Sequence, residues 1–288
     1  MLTIETAGEL IQTSRPRPGL GANRAILLGL AMLLGAWVAD SRLFAVGEPW
    51  SWLVPQLVLL AIIGMFLRSA YLQRRLSALL IEVFESVQLQ EWGRAVSLLQ
   101  RVLSRPIQQP QARCELLLAL GAAAEAQKQY EIAQHIYETV LEEGRGDPLQ
   151  LHTARVGLAE AMLRTGQIAD AVSLLDRLAR SDHSMGLPDP LKAQVELVSL
   201  LREVLLGQAQ DSLDRADERR RLFREHLSTR AGYGYGLLAA AFDRAQQPEQ
   251  AARCWHDATL LIRPAALVAR YPELEAVAAR YPHAEAPL

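Results

Sequence analysis

Two long apolar stretches near the N-terminus dominate the hydrophobic pattern of this chain. The first contains fifteen uncharged residues between Arg24 and Asp40, and the second contains nineteen between Glu48 and Arg68. At a rise of about 1.5 Å per residue, a helix formed by the second stretch matches the hydrocarbon thickness of a bilayer. The pattern therefore predicts a hairpin of two transmembrane helices within residues 24–68.

Two other interpretations of these stretches are open. A cleaved signal peptide requires small residues at −3 and −1 of the cleavage site, but the best candidate, after Ala39, has Trp37 at −3. A soluble buried hairpin is the other interpretation, and nineteen uncharged residues in a row are unusual for a globular helix. Both observations favour the membrane hairpin.

The arginines around the hairpin predict its orientation. Three precede the first stretch and three follow the second, whereas the connection contains only Arg42. Because cytoplasmic flanks of membrane spans carry an excess of Lys and Arg, we expect both ends of the hairpin in the cytoplasm of a bacterium. Residues 1–23, with their Pro- and Gly-containing end, then form a flexible cytoplasmic tail. The flanking residues are Arg15, Arg17, Arg24, Arg68, Arg74 and Arg75.

After residue 76 the apolar positions follow a helical period to the C-terminus. An alanine recurs every 38 residues and finally after 42, with bulky residues three positions before four of the five and four positions after each of them. These offsets place each set on one helix face. The period predicts stacked helix pairs in which the small residue allows two helices to approach closely. The recurring residues are Ala95, Ala133, Ala171, Ala209 and Ala251.

The second of these units carries a family pattern. In it, Leu117, Leu120, Gly121 and Ala124 are followed by Tyr130, Ala133, Tyr137 and Val140. This spacing resembles the tetratricopeptide repeat over residues 76–262, with a period of 38–42 residues instead of the family's 34. The resemblance implies that residues 76–288 form an α-solenoid of about five antiparallel helix pairs with a concave groove, followed by a C-terminal cap.

The resemblance also implies a partner-binding groove, because in that family the first helix of each pair lines the concave face. An apolar floor with scattered acids suits a helical or extended segment of a partner protein. The chain's own C-terminal segment is the alternative occupant, and the same side chains would then belong to the core. The candidate residues are Glu115, Leu118, Glu125, Val156, Glu160, Leu163, Gln194 and Val198.

The remaining composition argues against several classes of function. Thirty basic residues nearly balance 32 acidic ones, which disfavours nucleic-acid binding. The two cysteines are far apart and no two histidines lie four residues apart, so we expect no metal site. Common hydrolytic and nucleotide-binding motifs do not occur, so we expect neither a cofactor nor an enzymatic activity. The interleaved charges of residues 211–225, including Arg219–Arg221, are interpreted as a solvated helix face with internal ion pairs.

These features predict an all-α protein, with a transmembrane helical hairpin followed by a tetratricopeptide-like α-solenoid. We expect a scaffold that is anchored in the bacterial inner membrane and recruits partner proteins at its cytoplasmic face. The alternative is a membrane protein of the HemY type, associated with heme biosynthesis, which resembles this chain in having two N-terminal spans and helical repeats. The two hypotheses differ in the partner, which is a protein in the first case and a tetrapyrrole in the second.

Overall fold

A computed structural model describes residues 2–16, 28–29, 31–32, 35, 53–89, 91–185 and 188–282. These residues form α-helices and two short 3₁₀ turns, and none of them forms a strand, so the predicted all-α class is confirmed. The chain divides into two compact units. The smaller is Leu10–Gln109, and the larger combines Met1–Glu9 with Pro110–Leu288.

The N-terminal residues form a capped helix where the sequence predicts a flexible tail. Helix α1 (Ile4–Thr13) begins after Thr3, whose hydroxyl accepts from the Thr6 N–H at 3.2 Å while the Thr6 hydroxyl accepts from the Thr3 N–H at 2.8 Å. This reciprocal cap satisfies two backbone donors at the start of the helix. These residues are helical instead of flexible because an apolar stripe at helical spacing gives them a buried face. The stripe consists of Leu2, Ala7, Leu10 and Ile11.

Two longer helices belong to the smaller unit. Helix α2 (Leu53–Gln88) continues without a break past Arg74 and Arg75, and α3 (Trp92–Leu103) packs against it. None of the helices formed by the described residues is both long enough and apolar enough to cross a membrane. Most of the first apolar stretch and residues 36–52 lie outside the described residues, so the hairpin stays a prediction.

The larger unit is built mainly from consecutive helices that pack on one another. Four helix pairs can be followed along this unit. Their first helices, α4, α6, α8 and α11, pack side by side in that order, and we call these four the first helices. The helices are α4 (Pro110–Ala126), α5 (Tyr130–Glu143), α6 (Pro148–Arg164), α7 (Ile168–Met185), α8 (Asp189–Leu206), α9 (Ala209–Asp214), α10 (Ala216–His226), α11 (Ala231–Arg244), α12 (Pro248–Leu261), α13 (Pro264–Arg270) and α14 (Glu275–Arg280).

One turn geometry joins the two helices in each of these four pairs. A glutamine N–H donates to the carbonyl oxygen five residues earlier over 2.8–2.9 Å, and the residue before each glutamine has a positive φ of 57–82°. This is the Schellman arrangement that ends an α-helix. The donors are Gln129, Gln167, Gln208 and Gln247.

These turns correct one register of the alanine repeat. Ala133, Ala171 and Ala251 are the fourth residues of their helices and are fully buried. Ala209 instead begins α9, and Leu206 ends α8. The turn of the fourth unit therefore comes 41 residues after that of the third instead of 38, and the matching spacing at Ala209 does not mark an equivalent position.

The ring of Tyr137 separates α4 from α6. It is only 4% exposed. A Cβ on Gly121 of α4 would lie 2.5 Å from its Cε1 atom, and a Cβ on Gly157 of α6 would lie 2.5 Å from its Cζ atom. Because the ring is held between two glycines, it cannot move away from one without approaching the other.

We predict that Gly121→Ala and Gly157→Ala each lower the free energy of unfolding by about 1–3 kcal/mol, because each added methyl group overpacks this contact. The matched control is Gly8→Ala in α1, where a Cβ would meet no atom within 4 Å. That change is expected to stabilise the chain by about 0.5–1 kcal/mol through helix propensity. Urea unfolding followed by circular dichroism measures all three variants. Equal effects at the three positions would contradict the close contact.

Candidate functional site

The C-terminal segment, which we define as residues 264–281, lies against the first helices. It contains α13, the 3₁₀ turn Pro272–Leu274 and α14, and its side chains contact α4, α6 and α11. Ile262 and Arg263 separate it from α12 with extended backbone. Pro264 then restarts the chain as a helix, since its fixed φ suits the first helical position.

The guanidinium of Arg270 lies between two carboxylates from neighbouring first helices. Its Nη2 atom donates to Glu160 Oε1 at 2.6 Å and to Glu125 Oε2 at 3.0 Å. The exposed fractions of the side chains are 15% for Arg270, 7% for Glu125 and 5% for Glu160. Buried hydrogen bonds between charged groups are short and strongly directional, so this contact fixes the C-terminal segment on α4 and α6. We call Glu125 and Glu160 the carboxylate pair.

Tyr271 continues the same contact. Its hydroxyl donates to Glu160 Oε1 at 3.3 Å, and its ring meets that of Tyr233 edge to face with 5.4 Å between centroids. The guanidinium of Arg164 lies 4.9 Å from the Tyr271 centroid and donates to Glu273 at 2.6 Å. Arg164 thus holds the segment by a cation–π contact and an ion pair at once.

The segment contains the tetrapeptide Ala-Arg-Tyr-Pro twice, at residues 269–272 and 279–282. In the second copy, Arg280 Nη1 and the Tyr281 hydroxyl both donate to Asp243 Oδ1 of α11, at 2.6 and 2.9 Å. Both copies therefore bring an arginine and the tyrosine after it to one carboxylate oxygen of a first helix. In the second copy 61% of the Arg280 side chain is accessible, whereas only 11% of the Asp243 side chain is.

Apolar side chains hold the segment on both sides of Arg270. Leu267, Leu274 and Val277 are at most 2% exposed. A Cβ on Gly236 of α11 would lie 2.9 Å from Leu274 Cδ1, so the glycine leaves the space that Leu274 fills.

The eight predicted groove residues all lie on the first helices α4, α6 and α8. Glu115 is exposed, and Leu118 and Gln194 are half-buried, whereas the other five are buried. Two of the buried five form the carboxylate pair, so the contacts match the alternative in which the C-terminal segment occupies this face. Arg164, Arg270 and Tyr271 are not among the predicted residues; the duplicated tetrapeptide is the signal that points to the last two. The five buried residues are Glu125, Val156, Glu160, Leu163 and Val198.

The carboxylate pair is electrostatically unequal. Burial, and then the charge of Glu160, raise the pKa of Glu125 to about 7. Burial also raises the pKa of Glu160, but the charges of Arg270, Arg230 and Arg164 outweigh it and the net pKa is lowered. Glu160 is therefore the charged partner of Arg270, and Glu125 is the group that takes up a proton near neutral pH.

The arginine-rich stretch of α10 differs from its interpretation as a solvated face. Arg219 is 1% exposed and bonds the carboxylate of Glu203 in α8 with two nitrogens, at 2.6 and 2.7 Å. Arg220 donates to Asp257 of α12, and only Arg221 bonds an acid of its own helix. The interpretation is wrong for Arg219 because α10 packs against α8, which buries this side of the helix.

Within the described ranges, no group of three or more His, Cys, Asp or Glu is placed to hold a metal ion. No protein-family model, curated protein or solved structure matches the chain. The candidate site is therefore defined by its own contacts, as a face of α4, α6 and α11 that holds a short segment.

The raised pKa of Glu125 predicts a pH-dependent stability. An ordinary glutamate titrates near 4.3 in an unfolded chain, so between about pH 4.3 and 7 the folded chain binds a proton that the unfolded chain has lost. The contribution of Glu125 to the free energy of unfolding is therefore complete below that pH range and is lost as the pH rises through 7. The urea concentration at the unfolding midpoint of the unsubstituted chain is expected to fall between pH 5 and pH 8. We predict that Glu125→Gln reduces this fall.

The control for this experiment is Glu115→Gln, on the exposed side of the same helix. It is expected to keep the pH dependence of the unsubstituted chain. If Glu125→Gln also keeps it, Glu125 does not take up a proton in the folded state.

Proposed function

We propose that this chain is a membrane-anchored adaptor that binds partner proteins on its first helices. In this proposal the helix pairs of residues 76–288 form a tetratricopeptide-like solenoid. The observation that carries the proposal is that these helices already hold a short segment through Arg270, Tyr271 and Glu273. A row of helices that binds a short segment through charged and aromatic side chains has the chemistry of a peptide-recognition surface.

The anchor in this proposal is the hairpin of residues 24–68, with the repeats on the cytoplasmic side of a bacterial inner membrane. Large apolar side chains of α2 are 44–66% exposed over three turns. Contiguous exposed apolar surface indicates contact with lipid or with another protein. The flanking arginines favour lipid and the orientation with both ends inside. The exposed residues are Leu59, Leu60, Ile63, Phe66, Leu67 and Tyr71.

The chemistry of the site favours binding over catalysis. Glu160 is engaged by Arg270 and Tyr271, and a carboxylate held by a guanidinium has a lowered pKa and is a weak base. Glu125 accepts a hydrogen bond from the same guanidinium. These groups are arranged to position a cationic side chain, which is what an adaptor requires.

Site-specific photo-crosslinking of the full chain in growing bacteria tests the proposal. A photoreactive residue at Leu118 or Gln194, the half-buried positions on α4 and α8, is expected to form the same discrete protein adduct in the membrane fraction. The matched control is Arg177, an exposed position on α7, the second helix of its pair, where no such adduct is expected.

Three results would contradict the membrane-anchored adaptor. The first is the absence of a common adduct at Leu118 and Gln194, and the second is equal crosslinking from Arg177. The third is recovery of the chain in the soluble fraction after lysis. Stoichiometric tetrapyrrole in the purified chain, seen by its absorption spectrum, would instead favour the HemY-type alternative.

A further inference from the structure

We propose that the C-terminal segment is an exchangeable internal ligand, and that its site binds partner segments of the form Leu-x2-Arg-Tyr-Pro-Glu-Leu. This inference rests on the proposed function and states which partner the first helices recognise. The motif is the sequence of residues 267–274 reduced to the side chains that make contacts, together with Pro272, which follows the tyrosine.

The arginine of the motif is recognised by the carboxylate pair. One nitrogen of Arg270 lies within 3.0 Å of oxygens from both Glu125 and Glu160, which come from two different helices. A neutral side chain at this place would leave the buried, charged Glu160 without the guanidinium that bonds it, which is strongly unfavourable. The site therefore selects a cation at this position of a partner.

The acid three residues later is recognised by the opposite charge. Arg164 donates to Glu273 at 2.6 Å, and only 7% of its side chain is exposed. A segment with the charges in reverse order would place a base against Arg164 and an acid against the carboxylate pair. Such like-charge contacts exclude wrong partners, so the site reads the order of the two charges.

The leucines and the tyrosine supply the apolar contacts. Leu267 and Leu274 are fully buried on either side of Arg270, and Gly236 leaves room for the second of them. Tyr271 is 2% exposed, and its ring contacts the Arg164 guanidinium and the Tyr233 ring. Aromatic and arginine anchors flanked by apolar side chains are typical of the energetic centre of a protein interface.

The length and attachment of the segment allow it to exchange. Helices α13 and α14 have seven and six residues, and helices this short are not stable without their packing partner. The extended residues Ile262 and Arg263 join the segment to α12, and local elements can open at lower free energy than the whole domain unfolds. On release, the carboxylate pair returns to water and presents negative charge to the next cationic segment.

The second tetrapeptide supports the recognition rule independently. Arg280 and Tyr281 bring the same two donors to Asp243, whose side chain is 11% exposed, whereas that of Arg280 is 61% exposed. The pairing of an Arg-Tyr step with one carboxylate oxygen therefore does not require a buried arginine. It recurs at a second acid of the first helices, which is expected if this step is what they recognise.

The test uses the full-length chain with a site-specific protease sequence inserted after Arg263. After cleavage, a fluorescent peptide of residues 263–282 is added and its anisotropy is measured. We expect the peptide to enter the site and to be displaced by its unlabelled form. The Arg270→Gln peptide is expected to bind at least about tenfold more weakly, since it leaves the carboxylate pair without its cation.

The matched control is the Arg263→Gln peptide. Arg263 is exposed and precedes the segment, so the affinity of this peptide is expected to change by less than about threefold. Equal weakening by the two substitutions would show general electrostatic attraction and would overturn the recognition rule. Absence of exchange, or loss of helical content on cleavage, would show that the segment is a permanent part of the core.

The failure of this inference can be distinguished from failure of the adaptor function. If exchange fails while crosslinks at Leu118 and Gln194 persist, the exchangeable ligand is overturned and the adaptor remains. If exchange succeeds but no crosslinked partner forms, the site recognises the motif and the adaptor function is overturned.

Discussion

The contact of one guanidinium with two buried carboxylates determines how the C-terminal segment lies on the first helices. Arg270 compensates Glu125 and Glu160, which come from different helices and would otherwise repel each other in a poorly solvated place. Removing one partner of such a buried set costs about 3–5 kcal/mol. The position of the segment and the protonation of Glu125 are therefore linked, because a change in either one changes the free energy of the other.

The packing around Tyr137 explains why both carboxylates reach the same nitrogen. Gly121 lies four residues before Glu125, and Gly157 lies three residues before Glu160, so each glycine shares a helix face with its acid. The two glycines lie against the hydroxyl end of one tyrosine ring, one towards its Cε1 edge and the other towards its Cε2 edge, which sets the separation of α4 and α6. Burial, and then the charge of Glu125, raise the pKa of Tyr137, so the tyrosine stays neutral beside the acids. A packing feature of the repeat thus positions the charges of the site.

Local features of the fold follow from the sequence, and the contacts of the site do not. The helical period and the alanine repeat identify the helix pairs, and all eight groove candidates lie on first helices. The repeat fails at Ala209. The alanine still follows Ala171 by 38 residues, but three additional residues before the turn move the start of the second helix relative to it. The contacts of Arg270 join residues 145 and 110 positions apart, and Arg219 binds acids of another helix. No local pattern encodes such pairs, because they form only after the helices have packed.

Native-state hydrogen exchange of the full chain tests most directly whether the C-terminal segment is a bound ligand or part of the core. The amides of Tyr271 and Tyr281 donate to the carbonyl oxygens of Leu267 and Val277 within the segment, so their exchange reports its opening. If the segment is a ligand, they exchange through an opening of clearly lower free energy than the amides of α6 and α11, with little dependence on denaturant. If they exchange only with global unfolding, at the same free energy as α6 and α11, the segment is core and the exchangeable ligand is excluded.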